Sequence, residues 1–282
     1  MTGQGQSMSS RALVLGGGGV TGIAWEIGLL AGLAASGVDL TKATAVIGTS
    51  AGAFVGAAVA SGYDLEVLAV AQSQPQSDEI AVAASEETIA AWFNAFGAGD
   101  ATSVGAAFGE IAKANPEPVS IQARRRVVES RLVTTEWPTT LKVTAVDADT
   151  GVLHIFDHTS GVALIDAVAA SGAVPGVWPL VRIDGRSWID GGMVSSANAR
   201  LADGYQRVIV LAPMPAGYGE IPGVEEDVAA MQIEASVCLL SPDEGSVLAI
   251  GPNPYDPARR GPAAGAGRLQ GIRMAPTVEA MW

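Results

Sequence analysis

This 282-residue chain predicts an α/β fold: a mainly parallel sheet covered by helices on both faces. Three observations carry that expectation. Short β-branched apolar runs alternate with helical runs along much of the chain. Glycines cluster where an apolar run passes into a helical one, at Gly16-Gly17-Gly18-Gly19 and around Gly48 to Gly52. Apolar residues make up 49% of the sequence, enough for a sizeable core, and 35 glycines favour tight turns and close helix–sheet approach.

Taken in order, strands are expected at 11–15, 44–48, 140–147, 151–157 and 207–211, and helices at 22–35, 51–61, 162–171 and 194–203. Asp149-Thr150-Gly151 has the composition of a turn and makes a local hairpin of the third and fourth strands. Residues 64–135 break the rhythm with several helices and no convincing strand, so they form a helical insertion, either a cap or an outer layer. Beyond Pro213 the chain turns Gly/Pro-rich. Met231 to Ala235 ends a helix, Val237 to Leu240 is a strand, Gly251 to Pro257 is loop, and the tail from Gly261 is either helical or mobile.

The segment Ala45-Val46-Ile47-Gly48-Thr49-Ser50-Ala51-Gly52-Ala53 holds G-x-S-x-G between a strand and a helix. A sharp strand-to-helix turn mounts the hydroxyl of Ser50 at a strained corner, and Gly48 and Gly52 are small because a side chain there would clash across the turn. The N-terminus of the following helix favours negative charge developing beside the serine. The four successive glycines Gly16 to Gly19 leave backbone N–H groups free of side-chain crowding, able to converge on an oxyanion. Asp190-Gly191-Gly192 places a carboxylate in a Gly-rich loop after Trp188-Ile189, where it can accept a serine proton.

Together these segments resemble the patatin-like phospholipases. The glycine loop with its helix, the serine elbow, the stretch Ala170 to Leu180 and the distal D-G-G agree in order and spacing over residues 11 to 212. The resemblance implies a Ser-Asp dyad without histidine, with Ser50 as nucleophile, Asp190 as base and Gly17, Gly18 and Gly19 as oxyanion hole. It implies a three-layer αβα fold and one domain over 11–282, with the insertion at about 64–135 and the Gly/Pro-rich part from about 213. The activity implied is hydrolysis of lipid esters through an acyl-enzyme, with no cofactor and no metal. An acyltransferase using the same acyl-enzyme and a non-catalytic lipid- or partner-binding relative are the alternatives. The family usually carries Arg or Lys shortly after the glycines, and here that position is Thr21.

In that light Trp92, Phe93 and Phe96, with Phe108 beyond, form either an ordinary core-facing stripe, the expected reading, or an acyl-chain lid. Arg124, Arg125, Arg126 and Arg131 are expected on a solvated helix face, with a phosphate contact as the alternative. A net charge of −13 argues against nucleic acid and against attraction to anionic membranes. The partners expected are a lipid or other acyl ester and, transiently, a membrane surface. One cysteine, Cys238, and a polar start from Met1 to Arg11 suit a cytoplasmic protein.

Three other patterns point elsewhere. Residues 43–63 carry no charge and space Gly48, Gly52 and Gly56 as G-x-x-x-G, yet the run is poor in Leu, and the elbow explains its small residues better than a membrane span does. Gly17-x-Gly19-x-x-Gly22 satisfies a dinucleotide fingerprint, but the next strand ends in Gly48-Thr49-Ser50 instead of an acid, and Asp39 precedes it. The α/β-hydrolase order of Ser, acid and His fails, because His154 and His158 both precede Asp190. On a strand the two histidines would lie about 13 Å apart, too far for one metal ion.

Overall fold

The computed structural model describes residues 10–76 and 78–282, so most of the polar N-terminal stretch lies outside the described residues. Among the described residues eight strands form one sheet: β1 (Arg11–Leu15), β2 (Ala45–Thr49), β3 (Leu141–Asp147), β4 (Leu153–Phe156), β5 (Val181–Ile183), β6 (Arg186–Asp190), β7 (Arg207–Leu211) and β8 (Ser236–Leu240). The helices are α1 (Gly19–Ala35), α2 (Ala51–Ala60), α3 (Leu65–Ala71), α4 (Glu86–Phe96), α5 (Ala101–Ala114), α6 (Ile121–Arg131), α7 (Leu164–Ser171), α8 (Val224–Met231), α9 (Glu244–Ile250) and α10 (Arg260–Met281).

Strands β3, β2, β1, β7 and β8 run parallel in that order, while β4, β5 and β6 add antiparallel pairings at the β3 side. Alternation along each strand splits the core into two layers. Leu13, Leu15, Ile209, Leu211 and Leu240 pack with α1, α2, α7 and α10 on one face. Ala12, Val14, Val208, Val210 and Val237 face Val224 and Val228 of α8 on the other. Val146 and Ile189 continue that second face under Ala95 of α4 and Phe108 of α5. The result is the three-layer αβα arrangement, with two insertion helices in the outer layer.

One detail of pairing positions the chemistry. Val143 and Thr144 pair with both β2 and β4, so those strands take opposite edges of β3. Ala145 and Val146 pair with both β4 and β6, so β6 shares the edge of β2. Thr49 pairs with Thr144 and Asp190 with Ala145, so the end of β6 takes over where β2 leaves the sheet.

Several elements differ from the sequence expectation. Helix α1 starts three residues early, at Gly19, directly on the glycine loop. The short strands β5 and β6 were not expected, and Asp190 ends β6 rather than sitting in a free loop. The segment 194–203 is not an α-helix but turns around a short 3₁₀ piece at Ala199–Ala202, entered through Asn198 with φ 51°. Its residues hydrogen-bond to the site instead of completing a helical stripe. The charge-free run at 43–63 forms β2, the elbow and α2, and among the described residues no helix is long and apolar enough to cross a membrane. The tail is α10, docked along α1.

That docking explains an otherwise weak amphipathic pattern. A Cβ on Gly28 would stand 2.0 Å from the Ala264 carbonyl oxygen, and one on Gly32 would stand 2.3 Å from that of Arg268. In return, Cβ atoms on Gly267 and Gly271 would come within 2.3 Å of the Trp25 and Leu29 carbonyls. Two G-x-x-x-G pairs, on parallel helices, let backbones touch where side chains would hold them apart. The indole Nε1 of Trp25 donates to Gln270 Oε1 at 3.1 Å within the same contact. Gly28→Ala and Gly271→Ala should each destabilise the protein by about 1–3 kcal/mol through overpacking. Gly265, whose Cβ would meet nothing within 4 Å, is the control, and Gly265→Ala should be neutral or stabilising by up to about 1 kcal/mol. Urea unfolding midpoints of the three variants test this, and equal losses at 28 and 265 would contradict the close approach.

Candidate active site

Ser50 sits between the last residue of β2 and the first of α2 with φ 54° and ψ −112°, a strained conformation for a residue with a side chain. The strain is held by close backbone packing. A Cβ on Gly48 would lie 2.5 Å from the Gly52 oxygen, and one on Gly52 would lie 2.0 Å from the Leu15 oxygen. Both elbow glycines are therefore steric requirements. The Ser50 amide donates to Ser171 Oγ at 2.8 Å, so the end of α7 fixes the corner from the other side.

Because β6 ends beside β2, the Asp190 carboxylate meets the serine. Ser50 Oγ donates to Asp190 Oδ2 at 2.6 Å, and the Gly192 amide donates to Oδ1 at 2.7 Å. The carboxylate is 1% exposed, and burial raises its pKa to about 7 against the opposing pull of the Ser50 and Gly192 hydrogen bonds and the Arg124 charge. A polar cluster fixes the loop after it. Asn198 Nδ2 donates to Thr49 Oγ1 at 3.0 Å and to the Gly191 carbonyl at 3.2 Å, and Thr49 and Thr144 hydroxyls are 2.9 Å apart. Sequence reasoning missed Asn198, Thr49, Thr144 and Ser171, since isolated polar residues carry no pattern until the fold gathers them.

The glycine loop needs one correction. The Gly17 amide already donates to the Ser196 carbonyl at 2.7 Å, so it is not free for an oxyanion. The Gly18 and Gly19 amides have no partner among the described residues, and both glycines line the cavity at Ser50. Five helices, α3, α4, α5, α6 and α9, begin on a Ser or Asp side-chain cap. Helices α1 and α2 begin on Gly18 and Ser50 with no such cap; backbone carbonyls take some of their first-turn amides instead, Pro254 that of Thr21 and Gly16 that of Gly52. Beneath the loop, Glu26 Oε1 accepts from the Gly16 amide at 3.0 Å, and burial holds this carboxyl well above the usual range. Thr21 is fully buried, and its amide and hydroxyl both donate to the Pro254 carbonyl, so it tethers the loop at 253–255 to the start of α1.

A cavity of about 230 Å³ opens from Ser50, Asp190, Gly18 and Gly19. Its walls are apolar: Ile89, Trp92, Phe93 and Phe96 of α4, Phe108 of α5, and Met193, Met214, Tyr218 and Ile221. The aromatic residues of the insertion thus do more than fill a core. Phe108 is buried, Phe96 packs edge-on against it at 4.9 Å, and Phe93 stands 68% exposed at the rim.

The arginines also differ from expectation. The helical turn of α6 sends Arg125 outward to Glu129 and Asp166, while Arg124 points inward and is 4% exposed. Arg131 is half-buried and forms a two-pronged pair with Glu79 at 2.9 and 2.6 Å. His154 lies on β4, exposed and packed edge-on against Phe156 and tilted against Trp188, and His158 lies in the following turn; neither lines the cavity. Asp39 caps a 3₁₀ turn through Thr41 and is remote from the glycine loop's chemistry. Cys238 is buried in β8, and burial raises its thiol pKa.

A family model described as patatin-like phospholipase matches residues 13–203, more than half of the chain and every residue of the constellation above except Tyr218, Ile221, Met214 and the Pro254 loop. The chain belongs to that family. Two solved structures are similar. VipD from Legionella pneumophila shares 14% identity at a TM-score of 0.49, over 95% of this chain and 67% of that one. The type III effector protein ExoU shares 15% identity at a TM-score of 0.42, over 95% of this chain and 53% of that one. The chain thus spans between about half and two thirds of the length of these proteins. No curated protein matches the chain in sequence.

The buried Asp190 carries a stability signature. Its folded pKa, about 7, exceeds the ordinary 3.8, so the folded state holds the proton more tightly than the unfolded chain does. That contribution is complete below about pH 4 and is lost as pH rises through about 7. Asp190→Asn cannot ionise and escapes the loss. The melting temperature of the variant, relative to wild type, should therefore rise between about pH 5 and about pH 8. A difference that stays flat over that range would show that Asp190 is ionised throughout.

Proposed function

We propose that the chain is a serine acyl hydrolase of lipid esters that works through Ser50 and Asp190 without histidine. The observation that carries this reading is the 2.6 Å hydrogen bond from Ser50 Oγ to the buried Asp190 carboxylate, at the foot of an apolar cavity lined by two unpaired glycine amides. Membership in a phospholipase family supports a lipid ester as the substrate class.

Acylation begins with Ser50 Oγ attacking the ester carbonyl carbon as its proton passes to Asp190 Oδ2. The carbonyl oxygen becomes an oxyanion, received by the Gly18 and Gly19 amides at the start of α1, where the helix dipole adds to the hydrogen bonds. Collapse breaks the carbon–oxygen bond to the alcohol, and Asp190 returns the proton to that oxygen. Water then repeats the sequence on the acyl-enzyme: Asp190 takes its proton, hydroxide adds to the carbonyl, and Ser50 leaves with the proton returned. A carboxylate is a poor base in water. Burial that raises the pKa of Asp190 to about 7 brings it near neutral pH, where a base both ionises and holds a proton.

The acyl chain fits the cavity under α4 and α5. Phe93, Ile89, Met214 and Tyr218 at the rim are between 37% and 68% exposed, which supports entry of the substrate from a lipid surface.

On a p-nitrophenyl acyl ester, kcat/KM should rise about tenfold per pH unit below about 7 and level off above it, following Asp190. Ser50→Ala and Asp190→Asn should each lower kcat by about 10⁴-fold or more. The double variant His154→Ala with His158→Ala should keep most of the activity. Loss of turnover in the folded histidine variant, or retained turnover in purified Ser50→Ala, would sink the dyad.

A further inference from the structure

Arg124 is a buried cation with two N–H-bearing nitrogens, Nε and Nη1, that have no hydrogen-bond partner among the described residues. Only Nη2 is engaged, donating to the Gly172 carbonyl at 3.1 Å. The guanidinium carbon stands 4.2 Å from the centre of the Trp178 ring, and a Cβ on Gly172 would come within 2.9 Å of Nη2, so the surroundings are shaped to hold this group. Such a built position with donors left over is unusual for a structural arginine. Arg124 also lines a small cavity of about 20 Å³ that shares Gly19, Ser50, Val174 and Tyr255 with the large apolar one. That volume takes one water-sized group. The other cation on its wall, Arg131, is neutralised by Glu79, and the remaining ionisable neighbours are Asp190 and Tyr255.

We infer that Arg124 is a specificity-determining residue that receives one phosphoryl oxygen of the ester substrate in this small cavity while the acyl chain fills the large one. The inference rests on Ser50 as the nucleophile, because the two cavities meet there. A planar guanidinium suits an anionic oxygen and offers two adjacent donors. A neutral ester would leave both donors empty, and a site built to hydrogen-bond a substrate discriminates against one lacking the partner. Thr21 is committed to Pro254, so among the cavity-lining residues no cation from the glycine loop competes for this role.

The test compares a short-chain phosphatidylcholine with the diacylglycerol of matching chains, in wild type, Arg124→Gln and Arg124→Lys. In Arg124→Gln the ratio of kcat/KM for phosphatidylcholine over diacylglycerol should fall by about 10–100-fold, mainly through KM, as expected for losing hydrogen bonds from a charged group. Arg124→Lys should recover part of it. A ratio that does not change, with both activities falling together, overturns the inference and leaves Arg124 as a charge acting on Asp190. Inorganic phosphate separates the two sources of the anion. If it binds wild type but not Arg124→Gln while the substrate ratio stays fixed, the site serves free phosphate and the substrate assignment falls. Should wild type hydrolyse neither lipid, the reading of Ser50 fails by itself. Calorimetric binding of the two lipids to wild type then decides the present inference, as it does if neither variant folds. Phosphatidylcholine binding at least about tenfold tighter is expected, and equal affinity overturns it.

Discussion

The site depends on one edge of β3. That edge carries β2 as far as Thr144 and then β6 from Ala145 onward, so two strands from distant parts of the sequence end against each other. Where β6 takes the next pairing position, β2 cannot continue, and its chain turns away at Ser50 into α2. The turn and the carboxylate that serves it thus have a common cause. Backbone hydrogen bonds of the sheet fix Asp190 relative to Ser50 with no side chain needed to span the gap, and the 2.6 Å contact follows. The cluster of Thr49, Thr144 and Asn198 holds the remaining freedom of the D-G-G loop.

Around that edge the structure is built from backbone approaching backbone. Gly48 and Gly52 let the elbow close on β1, Gly191 lies against the Thr144 carbonyl, and the paired glycines of α1 and α10 bring two helices into contact. These approaches also fix the glycine loop. Helix α1 is clamped by α10 and tethered through Thr21, so its uncapped N-terminus presents the Gly18 and Gly19 amides in a fixed position. In the proposed reaction, donors held in place beforehand would need no reorganisation.

Electrostatics is governed by burial. Desolvation raises the pKa of Asp190 to about 7, and it also lowers the pKa of Arg124 to about 9, which leaves that group a cation near neutrality. Two opposite charges thus share the buried region behind Ser50, joined by Coulomb attraction without a direct ion pair in the described hydrogen bonds. The hydrogen-bonding capacity of Arg124 stays largely unspent. On the other side the aromatic residues of α4 and α5 line the cavity with apolar surface, which keeps the surroundings of the Ser50–Asp190 hydrogen bond low in dielectric.

Much of this was legible in the sequence because it is local. The strand–turn–helix at Ser50, the glycine loop before α1, the hairpin of β3 and β4 and the parallel strands β7 and β8 each arise from neighbours in the chain, through periodicity, turn chemistry and small residues at fixed offsets. The order of the motifs was enough to pair Ser50 with Asp190. What the sequence could not decide were the contacts between distant segments. Strands β5 and β6 are short, and β6 is stabilised by pairing with β3, so local propensity does not announce it. The G-x-x-x-G stripe of α10 has meaning only against α1. The Gly17 amide proved to be occupied because Ser196 lies beside it, nearly two hundred residues away in sequence. Whether an arginine in the run 124–126 faces solvent or the buried region behind Ser50 depends on the rotation of α6 against α7, which tertiary packing sets and charge pattern does not. Sequence determined which groups are present and how each is mounted; the fold decided which of them are buried together, because burial and long-range pairing are properties of the packed chain and of no segment within it.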